Sequence, residues 1–399
     1  MVERKEYLDQ LWAWKDERQI KVVTGIRRCG KSVLLEQYQQ RLLANGVAPE
    51  QIISINFENL DYEPLKDYMR LYNYLKERLC VDKMTYIFLD EVQEVPSFEK
   101  VVDSLYIRDH VDVYITGSNA YMLSSELATL LSGRYTEIKM LPLSFREYMA
   151  VTGMAKEEAF GGIPYVAVMN RTDEKIDQYL EGIYNTVIVK DIEQRQTRRE
   201  KESGKRKITD IALLKTIARY LASVIGSPVS MKSITDYLIS AGRKVSQNTV
   251  SDYVEALTES FIFYPVERFD IVGKQLLKVN NKFYMVDMGI RNHILPRKRY
   301  DLGFTIENIV YLELSRRGGK VNIGKYGSTE VDFVTQKEGV LTYYQVTADM
   351  TAEETFEREM RPLRSIQDNY EKIVLTLDRF SLGNYDGIKV MNVIDWLLG

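Results

Sequence analysis

A chain of 399 residues is too long for one typical core, and the length predicts about two to three domains. Its 45% hydrophobic and 28% charged residues are the proportions of a soluble globular protein. With 54 basic residues against 57 acidic ones the net charge is −3, so no global field draws the molecule onto nucleic acid or anionic lipid, and any such contact must come from a local patch.

Two cysteines, Cys29 and Cys80, cannot build a disulfide framework and fit a reducing compartment. The opening MVERKEYLDQLWAWKDER is charged and amphipathic, without a secretory apolar core, and no later apolar run is long enough to span a bilayer. The cytoplasm is the expected location and no membrane partner is expected. Residues 3–18 read as a helix, with Tyr7, Leu8, Leu11 and Trp12 on one face.

The most informative stretch follows. Ile20, Val22 and Val23 form a β-branched run that leads into Gly25-Ile26-Arg27-Arg28-Cys29-Gly30-Lys31-Ser32, and Val33 opens a helical segment to residue 44. This is G-x-x-x-x-G-K-[ST] between a strand and a helix, the context expected of a phosphate-binding loop. The glycines allow the backbone N–H groups to approach phosphate oxygens, and the helix N-terminus adds partial positive charge. Lys31 is placed to reach the β- and γ-phosphates of ATP, and the Ser32 hydroxyl to ligate Mg²⁺.

A second strand is expected at residues 52–58 and a helix at 65–79. Tyr86-Ile87-Phe88-Leu89 then runs into Asp90-Glu91. In that arrangement one carboxylate holds Mg²⁺ through water and the next polarises the attacking water. A further strand at 112–117 brings Ser118 and Asn119 to the same sheet edge, where either contacts the γ-phosphate or the lytic water, or Asn119 merely closes its own turn. After a helix at 121–131, Arg134 precedes a strand at 136–141. Two readings of Arg134 stand: charge stabilisation at a phosphate, in its own subunit or a neighbour's, or a local surface ion pair.

The alternation of strands and helices from 20 to 141 predicts a parallel, doubly wound sheet. Residues 142–148 break it and begin a helical region reaching about 196, with a turn and potential hinge at Gly161-Gly162-Ile163-Pro164. RQTRREKESGKRK, from Arg195 to Lys207, is the densest basic stretch, either a solvated loop or a contact to a DNA backbone. Helices at 211–224, 231–240 and 248–259 followed by a strand at 261–266 give the order of a winged helix-turn-helix. The third helix carries Asp252, Glu255 and Glu259 and no lysine or arginine, which favours a packing role over groove insertion. Strands near 282–287, 330–334, 342–347, 372–377 and 389–393, with helices at 306–316 and 352–367, complete an α/β layout.

These features together resemble a group of bacterial and archaeal AAA-type ATPases. Those proteins join a phosphate-loop domain to a winged helix and a C-terminal restriction-endonuclease-like domain of PD-(D/E)xK type. The resemblance rests on VTGIRRCGKS, YIFLDEVQ, YITGSNA with SGRY, PLSFREY, and the C-terminal EVDFV with YYQVT. It implies a P-loop ATPase core at 1–145, a helical lid or linker at 146–207, a winged helix at 208–268 and a nuclease-like domain at 269–399. It assigns nucleotide and Mg²⁺ binding to Lys31 and Ser32, metal and water activation to Asp90 and Glu91, γ-phosphate sensing to Asn119, and a finger or sensor role to Arg134. A nuclease site of that type needs acids and a lysine. Glu307, Asp332 and Gln345 hold matching positions, but Thr347 stands where the lysine belongs, which favours a vestigial or binding domain over a working nuclease.

The expected function is an ATP-hydrolysing switch or motor, possible DNA action included. An ATP-gated DNA nuclease and a non-catalytic nucleotide-binding scaffold are the alternatives. If Arg134 acts on a neighbouring subunit, the assembly is a homo-oligomer.

Overall fold

The structure is a computed structural model and describes residues 2–117, 131, 133–153, 161–169, 172–192, 210–295 and 302–399. Two compact units account for it. One is built mainly from Met1–Pro142, the other mainly from Leu143–Val189, Ile208–Thr258 and Ile262–Gly399.

The first unit is a five-stranded parallel sheet of β1 (Ile20–Thr24), β2 (Ile52–Asn56), β3 (Thr85–Asp90), β4 (Val111–Gly117) and β5 (Tyr135–Lys139), in the order β2-β3-β4-β1-β5. Every residue of β1 and β3 is buried, as expected of strands covered on both faces. Helices Lys31–Ala44, Tyr68–Lys76 and Phe98–Tyr106 supply that cover, and Ile55, Leu71, Leu75, Leu89, Val102 and Ile115 share one core. The doubly wound α/β arrangement of a P-loop fold is therefore present. The order places the carboxyl ends of β3, β4 and β1 side by side at one edge, where such sheets bind ligands.

Boundaries differ from the sequence reading for local reasons. The first helix covers only Lys5–Ala13, because the charged KDER segment turns away and Asp16 adopts φ +63°. The helix expected at 65–79 starts at Tyr68, where the Asp67 side chain caps it, after a 3₁₀ segment Leu60–Lys66 that contains Pro64. The helix expected at 121–131 lies, apart from Leu131, outside the described residues.

The second unit begins with helices Phe145–Thr152, Pro164–Val168 and Asp173–Asn185 and continues with Ile211–Ser223, Met231–Ser240 and Gln247–Glu259. Its nine-stranded sheet comprises β6 (Pro228–Val229), β7 (Phe263–Asp270), β8 (Gln275–Met285), β9 (Lys320–Tyr326), β10 (Thr329–Lys337), β11 (Val340–Thr347), β12 (Glu371–Thr376), β13 (Gly383–Tyr385) and β14 (Ile388–Asn392). The order is β13-β14-β12-β11-β10-β9-β7-β8-β6. Strands β9, β10 and β11 pair antiparallel and β11, β12 and β14 parallel, flanked by helices Leu302–Arg316 and Glu353–Ser365. The β7–β8 hairpin spans residue 268, so segments 208–268 and 269–399 contribute to one continuous sheet.

Asp287 ties two segments of this unit. Its carboxylate accepts the Gly162 N–H at 2.6 Å and caps helix Met288–Ile294 through the Ile290 N–H at 2.8 Å. Burial pushes its pKa up to about 6, against the backbone N–H groups that favour the charged form. Gly161 sits at φ +74°, and a Cβ there would lie 2.2 Å from the Asp287 carboxylate oxygens. Gly161→Ala is therefore expected to lower stability in urea unfolding by ~2 kcal/mol or more. Gly153→Ala, at φ +62° with nothing within 4 Å, should cost only ~1 kcal/mol. The raised pKa fixes a second sign. A carboxyl whose folded pKa exceeds its unfolded value loses stability as pH rises between the two. The stability of wild type minus that of Asp287→Asn should thus shrink between pH 3.8 and about 6.

Candidate functional site

At the end of β1 the chain enters GIRRCGKS. Gly25 has φ +151°, and a Cβ there would lie 2.2 Å from the Met140 carbonyl oxygen, so only glycine lets the loop pass that close to the end of β5. Gly30, at φ +104°, is the N-cap of helix Lys31–Ala44. Ile26 and Cys29 are buried beneath the loop. Burial pushes the Cys29 thiol up, which makes it a packing residue rather than a nucleophile. Arg27 pairs with Glu58 at 3.7 Å, Arg28 is exposed, and Val33 lies half-buried in the first helical turn. The buried Lys31 ammonium donates to the carbonyls of Gly25 at 3.2 Å and Ile26 at 3.4 Å and lies 3.9 Å from Glu91 Oε1.

Asp90 is the hub opposite the loop. Parallel register sets Asn56 beside it on β2 and, one residue past the Leu89–Ile115 pair, Thr116 on β4. Asp90 Oδ1 accepts the Thr116 hydroxyl, Oδ2 accepts the Asn56 amide at 3.0 Å, and the Ser32 hydroxyl bonds the same carboxylate. Burial raises the Asp90 pKa, opposed by the hydrogen bonds from Thr116 and Ser32. A serine hydroxyl against a buried carboxylate is a set of hard oxygen donors, which fits Mg²⁺. Next to it, Glu91 adopts φ +53°, its N–H donates to Thr116 Oγ1 at 3.0 Å, and its carboxylate accepts the Gln93 amide at 2.6 Å.

Lys31, Ser32, Asp90 and Glu91 thus come together as expected. Arg134 does not join them. It precedes β5 and its carbonyl accepts the Ile20 N–H, so it stands at the start of β1, roughly 15 Å along the strand from the loop at ~3.3 Å per residue. There it pairs with Asp103 at 3.3 Å and lies over the Tyr106 ring, the local ion pair rather than a contact to its own phosphate site. Ser118, Asn119 and the basic run from Arg195 to Lys207 lie outside the described residues.

A second cluster occupies the C-terminal unit. Asp332 Oδ2 accepts the Val346 N–H at 2.8 Å, and Gln345 Oε1 lies 3.4 Å from the Asp332 N–H. Gln345 also donates to Glu359 at 3.1 Å, and the Thr347 hydroxyl donates to the Asp349 carbonyl at 3.0 Å. Glu307 accepts the Tyr284 hydroxyl at 2.6 Å. Burial, reinforced by Glu307, pushes the Asp332 pKa up, against the pull of the Lys282 ammonium and the Val346 N–H.

Sequence reasoning missed Asn56, Thr116, Gln93 and Arg4. The Arg4 guanidinium is buried and donates to the carbonyls of Cys29 at 3.1 Å, Leu141 at 2.8 Å and Pro142 at 3.3 Å. It holds the back of the phosphate loop to the chain leaving β5, and the Tyr7 hydroxyl accepts the Leu141 N–H beside it at 3.0 Å. An arginine in a charged N-terminal segment carries no local signal of this. Arg4→Ala strands buried carbonyls and should cost ~2–3 kcal/mol in thermal or urea unfolding. It should also weaken nucleotide binding in a fluorescent-ATP titration by at least ~10-fold, since the loop loses its brace.

Residues 17–149 match the AAA domain family, and residues 153–301 match a domain of unknown function (DUF8612). An uncharacterized protein of Haemophilus influenzae is 38% identical over 411 residues, which cover 100% of this chain and 99% of that protein. Another, MJ1544 of Methanocaldococcus jannaschii, is 27% identical over 415 residues, 94% of this chain and 85% of that protein. Among solved structures, a Walker-type ATPase of Pyrococcus abyssi aligns with a TM-score of 0.47 at 14% identity, over 74% of this chain and 96% of its own. The Aeropyrum pernix ORC1 protein, solved in complex with DNA, aligns with a TM-score of 0.29 at 14% identity, over 74% and 92%. Both structural likenesses are too slight to carry an argument. The end-to-end identity with the Haemophilus influenzae protein does carry one: this chain belongs to the same family as that protein, with an AAA-type P-loop domain at its N-terminal end.

Proposed function

We propose that the protein is an ATPase that binds ATP with Mg²⁺ at residues 25–33 and uses hydrolysis to change the conformation of its second unit. The observation that carries this is the convergence of Lys31, Ser32, Asp90 and Glu91 at the carboxyl edge of the parallel sheet. Lys31 exchanges its bonds to the Gly25 and Ile26 carbonyls for phosphate oxygens. The loop N–H groups and the helix N-terminus take up the remaining charge. Mg²⁺, when bound through Ser32 and Asp90, screens the repulsion between the phosphates. Glu91 accepts a proton from the water whose oxygen attacks the γ-phosphorus, and the bond to the ADP oxygen breaks in line. Gln93 and Thr116 fix where the Glu91 carboxylate and backbone sit.

Chain continuity supports coupling. Arg4 joins Cys29 in the loop to Pro142, the last residue before the chain enters the second unit. Within that unit, three helices, the short β6 between the first two, and the β7–β8 hairpin follow the order of a winged helix, with β6 paired to β8. The exposed face of Gln247–Glu259 carries Asn248, Ser251, Asp252 and Glu255, so we assign this module to packing, and DNA contact to the run from Arg195 to Lys207. We read helix Leu302–Arg316 with β9 to β12 as a nuclease-like domain, a reading supported by the mixed antiparallel and parallel pairing of those strands. Because Arg134 lies away from its own loop, a phosphate role for it requires a second copy of the chain.

Two substitutions test the proposal. Lys31→Ala should abolish saturable binding of labelled ATP. Glu91→Gln should keep binding while steady-state turnover falls by ~10²-fold or more. Normal turnover by Glu91→Gln would refute its role. Tight, co-purifying ADP with negligible turnover in the unaltered protein would favour a nucleotide-holding scaffold instead.

A further inference from the structure

A PD-(D/E)xK-like plan implies a divalent cation between Glu307 and Asp332. The side chains around them do not fit one. Lys282, on β8, buries its ammonium 3.2 Å from Glu307 Oε1 and 2.9 Å from Glu330 Oε1. The Tyr284 hydroxyl, two residues along the same strand, bonds that same Glu307 oxygen. The Asp332 and Gln345 side chains are engaged by Val346, the Asp332 N–H and Glu359. Among the described residues no group of three or more histidine, cysteine, aspartate or glutamate side chains is arranged to hold a metal ion.

We infer that Lys282 is the resident cation of this cluster: its ammonium stands where a divalent metal would bind, so the C-terminal unit performs no metal-dependent strand cleavage. The placement is built into the fold. Asn308, adjacent to Glu307, clamps the Met285 backbone with both ends of its amide, at 2.7 Å and 2.8 Å, which locks helix Leu302–Arg316 to β8 and sets Glu307 against Lys282. Burial alone would lower the Lys282 pKa, but Glu307, Asp332 and Glu330 outweigh it and hold the ammonium charged. A dication brought to Glu307 meets that fixed charge at short range and largely out of solvent, so repulsion opposes its binding. Access is not the obstacle, because Glu307 also lines an open cleft of about 440 Å³ with Thr347, Asp349 and Arg358. The acids are those of a metal site, and the lysine has turned them into an internal ion-pair network.

The test uses full-length protein carrying Ser32→Ala and Asp90→Asn, which removes the phosphate-loop metal site, titrated with Mn²⁺ and followed by electron paramagnetic resonance. No saturable binding is expected in millimolar Mn²⁺. Adding Lys282→Gln should create one saturable site, and adding Glu307→Gln to that protein should remove it. A saturable site already present with Lys282 intact, and abolished by Glu307→Gln, overturns the inference, and this arm needs no substitution at Lys282. So does a Lys282→Gln protein that keeps its circular dichroism spectrum and gains no site. Mn²⁺-dependent plasmid cutting by the otherwise unaltered protein, lost in Glu307→Gln, overturns it as well.

Discussion

The buried carboxylate of Asp90 is the constraint around which the first unit is arranged. A carboxylate that deep is costly unless hydrogen-bond donors surround it, and three come from three different places: Thr116 on β4, Asn56 on β2 and Ser32 at the start of the helix after the loop. Parallel pairing makes this inexpensive. Residues in register across β2, β3 and β4 arrive together at the same edge, so one acid collects donors from both neighbours without distorting either strand. The same geometry brings the loop after β1 to that edge, and Lys31 lands within reach of Glu91. The convergence of these groups at one edge is a consequence of strand order.

The loop and the Asp90-Glu91 pair were legible in the sequence because their chemistry is local. Eight consecutive residues contain the loop's glycines, ammonium and hydroxyl, and an apolar run announces the strand that delivers the acids. Asn56, Thr116 and Arg4 carried no such mark. Their roles exist only through register and packing across 34, 26 and 137 residues of chain respectively. Arg134 shows the converse. Its motif was visible, but it stands before β5 rather than after it, and in a parallel sheet those two positions face opposite edges. Reading which end of a strand a residue occupies would have separated the two cases.

In the second unit the outline was legible and the connectivity was not. Strand β9 and the first part of β8 read KVNIGKY and QLLKVNN, where lysine and asparagine interrupt any apolar alternation, and their strand conformation comes from pairing with neighbours. Because β8 was expected only from residue 282 onward, nothing suggested that the hairpin joins the three-helix segment to the C-terminal strands. Glu307, Asp332 and Gln345 were found by position. Lys282 was not, because it reaches the cluster from a strand that the motif does not include.

Asp90 and Glu307 are both buried acids, and they are satisfied in opposite ways. Asp90 is satisfied by hydroxyl and amide donors, which are neutral. Such partners lower the cost of burial without cancelling the charge, so the carboxylate keeps its attraction for a cation. Glu307 is satisfied by an ammonium and a phenol, and the ammonium does cancel the charge. The difference between the two centres is the formal charge of the group that satisfies the acid, and not the acid itself or its depth. In the second unit the ion pairs of Lys282 with Glu307 and Glu330 join β8, helix Leu302–Arg316 and β10.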